Sequence, residues 1–426
     1  MAARERTGEK MINILMTLGL LTINLEVLPI GEYQPLLLLA MGIYLALSTG
    51  RIGKPHFIAS LIVMAVAVVS FIASQTEGGI DLIRVTIACM FLMTGSLIFQ
   101  FLSKKVFVYV AVAHMTVLVI GLISPGVIRS VLMVFFPRGP LYYDGYNAFF
   151  ASEPSYAAIN YFGTYLLYRL AGEMHGWSRP SISFQMMFVL PLLFTKAITG
   201  AVFALIILLI MVYDNRAKIF EKKLALVPLF LSLIAAVFLF SDVDQLVDLG
   251  VLRFSRIGSF GAFLSDIDGE SGLVLWSVLE PASSSRFVAN FAGLIEGLSS
   301  FLGKGKLYIA GPDVFPYPSW LDEMFRANEI VAPGINSQTA LFNFISISGW
   351  LSLLPIIFIF YYSWRGLKNL NDRGTMILAF SYIFIGMLWQ GAFVAPILWI
   401  VLAVLMSRAA NHGRSLSKEF NSDLAS

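Results

Sequence analysis

Apolar runs of the length that crosses a hydrocarbon core recur along this chain, separated by short polar connectors. They fall at about 11–29, 33–49, 56–74, 80–102, 106–125, 154–171, 225–241, 337–362, 375–390 and 392–407, each near the roughly 20 residues that a spanning helix needs. The stretch from Ser181 to Tyr213 is too long for one crossing. Splitting it at Thr195-Lys196-Ala197-Ile198-Thr199-Gly200 gives two short helices and about twelve spans in all. The pattern predicts an all-α polytopic integral membrane protein, one membrane domain over 1–426.

The basic residues test that count. Arg4, Arg6 and Lys10; Arg51 and Lys54; Lys104 and Lys105; Arg179; Arg216, Lys218, Lys222 and Lys223; Arg365, Lys368 and Arg373; and Arg408, Arg414 and Lys418 all fall on one side when twelve spans are counted. By the positive-inside rule that side is the cytoplasm, with both termini on it. Counting 181–213 as one span would move the basic 214–224 connector and the C-terminal segment to the wrong side. Two long segments are then left outside: a loop over about 123–152 and a large loop over about 241–336, the second carrying amphipathic helices.

Composition agrees with the pattern. The chain is 58% hydrophobic and 13% charged, more apolar surface than a soluble globule can bury. Its net charge of +3 comes mainly from the short connectors, which points to membrane orientation and away from nucleic acid. The single cysteine, Cys89, excludes a disulfide within one chain. Met1 to Lys10 reads as a retained charged lead-in to the first span.

The polar residues at the outer ends are the candidates for chemistry. Ser152-Glu153-Pro154-Ser155 stands where the first outer loop enters an apolar helix. Glu153 there is either a helix cap, favoured by the helix dipole, or a carboxylate that orients or deprotonates an acceptor hydroxyl. Lys196 sits at the tip between two short helices, where it either snorkels to the interface or meets an anion. Arg286 opens an amphipathic helix with Phe287, Phe291, Leu294, Leu298 and Phe301 on one face and Asn290, Gly293 and Gly297 beside Arg286 on another. The glycines permit close approach by a backbone or a ligand. That helix runs to Gly303-Lys304-Gly305-Lys306, a basic turn without the terminal Lys-Ser/Thr of a nucleotide P-loop. Asp266-Ile267-Asp268-Gly269-Glu270 reads as a solvated acidic turn, since the calcium-loop pattern is incomplete. No histidine falls in either outer loop, which argues against an outer zinc site or a Ser-His triad. Asp81 and Arg84, one helical turn apart, are expected to neutralise each other.

Taken in order along the chain, these motifs resemble the O-antigen polymerase and ligase superfamily of bacterial membrane glycosyltransferases. The likeness rests on the tyrosine-containing first loop, the Ser-Glu-Pro-Ser helix start, the Thr-Lys-x-x-Thr-Gly tip, Arg286 before a helix leading to Gly-x-Gly, Asn336 and the Gly349-Trp350 break. It covers roughly residues 130–360. The resemblance implies transfer of a glycan from a polyprenyl-pyrophosphate-linked oligosaccharide on the outer side of the inner membrane, with no metal or other cofactor. It also implies membrane lipid around the chain and a chain-length regulator and flippase as partners. Carried over by position, Arg286, Lys196 and Glu153 are the catalytic group and Asn336 contacts substrate; Arg138, Tyr143, Tyr156, Lys304 and Lys306 are further candidate substrate contacts, the two lysines because a basic turn can touch phosphate. Ile335 stands where relatives often carry the histidine ascribed to ligases. That departure favours a repeat-unit polymerase and shifts the base role to Glu153.

The chemistry is compatible with such a site, because a pyrophosphate leaves readily once cations stabilise its developing charge and the acceptor is oriented. An arginine fork suits phosphate, and outer aromatic residues such as Tyr142, Tyr143, Tyr146 and Trp320 either stack on sugars or anchor at the interface. A transporter or flippase of lipid-linked glycans is the competing class. Transporters, however, concentrate polar groups at the midplane in repeated halves, and no internal repeat is visible here.

Overall fold

The computed structural model describes residues 2–23, 35–50, 52–74, 79–124, 126–127, 130, 150–151, 154–195, 198–221, 281–306, 309–319, 321–322, 325, 339–385 and 395–425. Among them every element is helical: α1 (Ala2–Leu21), α2 (Leu36–Thr49), α3 (Lys54–Ser74), α4 (Gly79–Gln100), α5 (Lys104–Ile123), α6 (Pro154–His175), α7 (Ile182–Phe194), α8 (Ile198–Glu221), α9 (Pro281–Leu298), α10 (Ala340–Ser348), α11 (Leu353–Lys368), α12 (Arg373–Phe384) and α13 (Pro396–Ala425). Four of the described stretches are long and apolar enough to cross a membrane: Lys54–Ser74, Asp81–Gln100, Lys104–Ile123 and Ala340–Lys368. Seven further described helices are apolar but shorter. The predicted span at 225–241 and most of the 241–336 loop lie outside the described residues, so the described helices do not by themselves give twelve spans.

Packing sorts the helices into inner and outer. Along α13 every residue from Ile397 to Met406 is buried, as expected of a helix that is apolar all round and sits at the centre of a bundle. α6 is buried without a break from Ala157 to Ala171. Around them α2, α3, α5 and α8 expose large apolar side chains, including Tyr44, Leu47, Ile72 and Ile123, on surfaces that water would penalise. An apolar exterior on an all-helical bundle marks an α-helical membrane protein, because hydrocarbon solvates such a surface at no cost and the helices satisfy their own backbone groups. α13 comes so close to α11 that a Cβ on Gly366 would lie 1.9 Å from the Leu405 carbonyl oxygen.

The split of the 181–213 run is observed. α7 and α8 form a hairpin, since Arg179, just ahead of α7, donates to the Asp214 carbonyl near the end of α8 at 3.3 Å. The charged connectors also gather as the sequence requires. Asn13 accepts from Ser103 at 2.7 Å, tying the middle of α1 to the start of α5. His56 near the start of α3 lies 2.8 Å from the Ala403 carbonyl, and Arg408 donates to Glu173 at the end of α6 and to the Asn369 carbonyl after α11. These connectors therefore share one end of the bundle, its basic end.

The run read as a single span over 337–362 is broken. α10 stops at Ser348, and Gly349–Ser352 forms a 3-10 turn before α11. Gly349 has φ 56° and ψ −143°, a backbone region open to glycine alone. The break turns α10 off the line of α11, and Ala340, Leu341, Ile356, Ile359 and Phe360 line one small apolar gap with Val63 and Trp399. A Cβ on Gly349 would also stand 2.2 Å from the Ser300 carbonyl oxygen. Gly349→Ala is expected to cost roughly 1–3 kcal/mol in backbone strain and a similar amount in overpacking. Thermal unfolding in detergent measures it, and an unchanged midpoint would mean that the turn relaxes freely.

Candidate functional site

The end of the bundle opposite the basic connectors is where α5 finishes, α6 starts and α7 turns into α8. Pro154 takes the first position of α6, where its missing N–H costs nothing and its fixed φ suits the helix. Ala151 and Ala157 pack with Val117 and Leu118 of α5 in one apolar cluster, to which Phe150, Tyr156, Leu190 and Phe194 add. Tyr156, assigned to substrate, is thus half-buried beside the last turn of α7. Below it His114 stacks on Tyr161 at 4.0 Å and meets the edge of Phe150 at 5.0 Å. Its Nδ1 lies 2.9 Å from the Val110 carbonyl, which leaves it a packed span residue.

The α7–α8 tip is tight. Thr195 is buried, and its hydroxyl donates to the Leu192 carbonyl at 2.7 Å. Gly200 approaches this turn so closely that a Cβ would fall 2.1 Å from Thr195 Oγ1, so the glycine of the tip motif serves helix contact. Glu153, Lys196, Arg138, Tyr143 and Asn336 lie outside the described residues, as do the acidic turn at 266–270 and Trp320. What the structure brings together is the helices next to Glu153 and Lys196: the start of α6 and the end of α7 share one cluster.

α9 and α10 build a second unit. Arg286 lies in the second turn of α9, which begins at Pro281 and not at the arginine. The face expected to be apolar is only half-buried at Phe291, Leu294 and Leu298, and Phe301 lies beyond the helix, 65% exposed. The buried face carries the small residues Ala289, Ala292, Gly293 and Gly297. At Gly297 the backbone of α10 comes so near that a Cβ would lie 2.3 Å from the Ile345 carbonyl oxygen, so this glycine admits a helix and not a ligand.

The Gly303–Lys306 turn then doubles back along α10. Lys304 and Gly305 donate their backbone N–H groups to the carbonyls of Ser346 and Ile347 at 3.1 and 2.9 Å, satisfying acceptors that a helix end leaves open. The Lys304 ammonium donates to Glu296 at 2.5 Å and lies 4.5 Å from the centre of the Phe315 ring. Its charge is already matched inside this unit. Lys306 is exposed. α9 packs on α10 and the 3-10 turn, and α10 packs on α3, whereas α6 to α8 lie against α5 and α12; α4 and α13 stand between the two groups.

Sequence reading missed two polar centres. Glu296, fully buried, accepts from Lys304, from the Ala310 N–H at 2.6 Å and from the Tyr317 hydroxyl. Burial, and then the carboxylate, hold Tyr317 far above the usual phenol range. Its signal was a lone Glu on the small-residue face of an apolar helix. The second centre is at the basic end, where Arg169 of α6 donates to Asp214 of α8 at 2.6 Å and to Asp372, the N-cap of α12, at 2.5 Å.

Asp372 also accepts from the N–H and hydroxyl of Thr375 at 2.9 and 2.6 Å. Burial acts to raise its pKa, but the Thr375 hydrogen bonds and the Arg169 guanidinium outweigh it and hold the carboxyl below its ordinary 3.8. A depressed carboxyl contributes stability that is present above the unfolded value and is lost as pH falls through the folded one. Thermal midpoints are therefore expected to drop more between about pH 5 and pH 3 in the wild type than in Asp372→Asn, where the amide keeps the cap. Parallel acid profiles would show that this carboxyl does not titrate with unfolding.

No protein-family model, no curated protein and no solved structure was found to match this chain.

Proposed function

We propose that this chain is a bacterial inner-membrane glycosyltransferase that joins polyprenyl-pyrophosphate-linked oligosaccharide repeat units on the extracytoplasmic side. In this reading it crosses the membrane twelve times with both termini in the cytoplasm and the 241–336 loop outside. One observation supports it above the rest. The helix entered from the Ser-Glu-Pro-Ser sequence and the hairpin whose tip carries Lys196 meet at the end of the bundle away from the basic connectors. Glu153 and Lys196 adjoin these two elements in the sequence, and this reading takes that end as the outer side; Arg286, on the α9–α10 unit beyond α4 and α13, is proposed to act on the same substrate.

In the proposed reaction the acceptor hydroxyl attacks the anomeric carbon of the donor, and the carbon–oxygen bond to the polyprenyl pyrophosphate breaks. Arg286 and Lys196 hold the departing pyrophosphate, Arg by a bidentate fork and Lys as a point charge. Glu153 accepts the hydroxyl proton or orients it. Arg138, Tyr143, Tyr156, Lys306 and Asn336 line the path of the sugars, and Lys304 supports Arg286 indirectly by fixing the turn after α9. The reaction uses no metal, and a chain-length regulator and a flippase act with it.

Deleting the gene in its native host and analysing lipid-linked and polymeric glycan tests this reading. Accumulated single repeat units support polymerisation. Free polymer that has lost its attachment selects a ligase, and an unaltered glycan profile with a transport defect selects the flippase class.

A further inference from the structure

The exposed side of α11 and of the turn before it is one regular stripe. Trp350, Leu354, Ile357, Tyr361 and Trp364 are all exposed and recur at alternating steps of four and three residues, the spacing that puts side chains on one helix face. At the basic end of the stripe Lys368 lies 5.2 Å from the centre of the Trp364 ring, and Arg365 lies 5.7 Å from that of Tyr361. Aromatic rings beside cations mark a headgroup boundary, so lipid covers this face from there on. The other end of the stripe meets α9. The Trp350 indole N–H donates to the Leu298 carbonyl at 2.8 Å and the Leu351 N–H to the Phe301 carbonyl at 3.3 Å, which holds the turn after α9 on the first residues of the stripe. Phe301 in that turn is 65% exposed.

Depth decides what meets it. Trp350 stands about 21 Å along the helix from Trp364, less than the roughly 30 Å of a hydrocarbon core, and tilt shortens the rise further. α5 starts at the same end with Lys104 and Lys105 and exposes apolar side chains as far as its last residue, Ile123, about 30 Å along. Hydrocarbon that covers α5 therefore extends past Trp350 and Phe301. The turn is built for such a place, where no water is at hand to pair backbone groups. The N–H groups of Gly303, Lys304 and Gly305 donate to the carbonyls of Ser300, Ser346 and Ile347 at 3.4, 3.1 and 2.9 Å, and the Lys304 ammonium is paired with Glu296.

We propose that the turn after α9 is embedded in the leaflet away from the basic end, with Phe301 and Trp350 against lipid acyl chains as a continuation of the lipid face of α11. The exposed Lys306 extends from the turn to the headgroups above it. The end of α9 thereby lies within the bilayer and not in the aqueous loop expected over 241–336. This placement is independent of the proposed transfer chemistry.

Spin labels on cysteines introduced singly into full-length Cys89→Ala protein in phosphatidylcholine vesicles test it. The readouts are collision with oxygen, which concentrates in hydrocarbon, and with a water-soluble nickel chelate, which does not enter it. A label at Phe301→Cys is expected to match one at Ile357→Cys, with frequent oxygen collisions and most nickel collisions lost. One at Asp313→Cys, an exposed acidic position, should meet nickel freely. Vesicles with bromine on the upper acyl carbons give a second measure that needs no label: the fluorescence lost to bromine should be greater in the wild type than in Trp350→Phe. Nickel collisions at 301 equal to those at 313, or equal bromine quenching with and without Trp350, would overturn the placement. A label at 301 that meets neither reagent, and whose spectrum sharpens when labelled protein is diluted with unlabelled, would assign the face to a second copy of this chain and overturn lipid as its occupant.

Discussion

Arg169→Ala is expected to destabilise the bundle by about 3–5 kcal/mol, enough to remove most folded protein from a detergent extract. The guanidinium is 4% exposed and Asp214 is 2% exposed, so truncating the arginine leaves a carboxylate that water reaches poorly and no cation at hydrogen-bonding distance. The same loss frees Asp372 from α6, and with it the start of α12. Arg179 does not replace it: it is 65% exposed and stands 4.0 and 3.8 Å from the two acids. Arg169→Lys should recover only part of the stability, because one ammonium cannot present two divergent donors to two carboxylates. Arg169→Met combined with Asp214→Met and Asp372→Asn should recover most of it, since removing all three charges leaves nothing unpaired while the Asn keeps the α12 cap. Thermal unfolding and the monodisperse fraction on size-exclusion chromatography report the outcome. A midpoint for Arg169→Ala near that of the wild type would place the network among surface pairs of little consequence.

This network also shows where the sequence stopped being legible. Helices were readable because hydropathy is a local property, and the positive connectors decided even the division of 181–213 into α7 and α8. Asp81 and Arg84, three residues apart, were readable for the same reason and pair at 3.0 Å. Arg169 finds its partners 45 and 203 residues away, and no pattern within one span gives that pairing. The face of α9 failed differently. Its periodicity was seen, but burial went to Ala289, Ala292 and Gly297, because close helix contact selects small residues while the larger apolar ones stay half-buried. Gly349 was recognised as a break, yet only the structure shows the 3-10 turn and the change of helix direction that its φ permits. At the candidate site, Tyr156 and the helices beside Glu153 and Lys196 are placed, while those two residues themselves lie outside the description.

Arg286→Ala is expected to lower glycan transfer by roughly 10²–10³ fold, the cost of losing one preorganised donor to a developing negative charge. In the proposed mechanism Arg286 serves the donor, so the loss should appear in turnover with little change in thermal midpoint. Arg286→Lys should recover part of the rate, since a point charge does not reproduce the fork. Lys196→Arg should be tolerated, whereas Lys196→Ala should impair use of the donor. Glu153→Gln separates the two readings of that residue, because an amide can still cap α6 but cannot take a proton. The assay is elongation of polyprenyl-linked repeat units by purified protein in excess chelator, with expression and unfolding measured alongside. Wild-type polymer from well-folded Arg286→Ala would defeat the proposed mechanism, and wild-type polymer from Glu153→Gln would return Glu153 to a capping role. A requirement for a divalent cation in the wild type would turn attention to Asp266, Asp268 and Glu270.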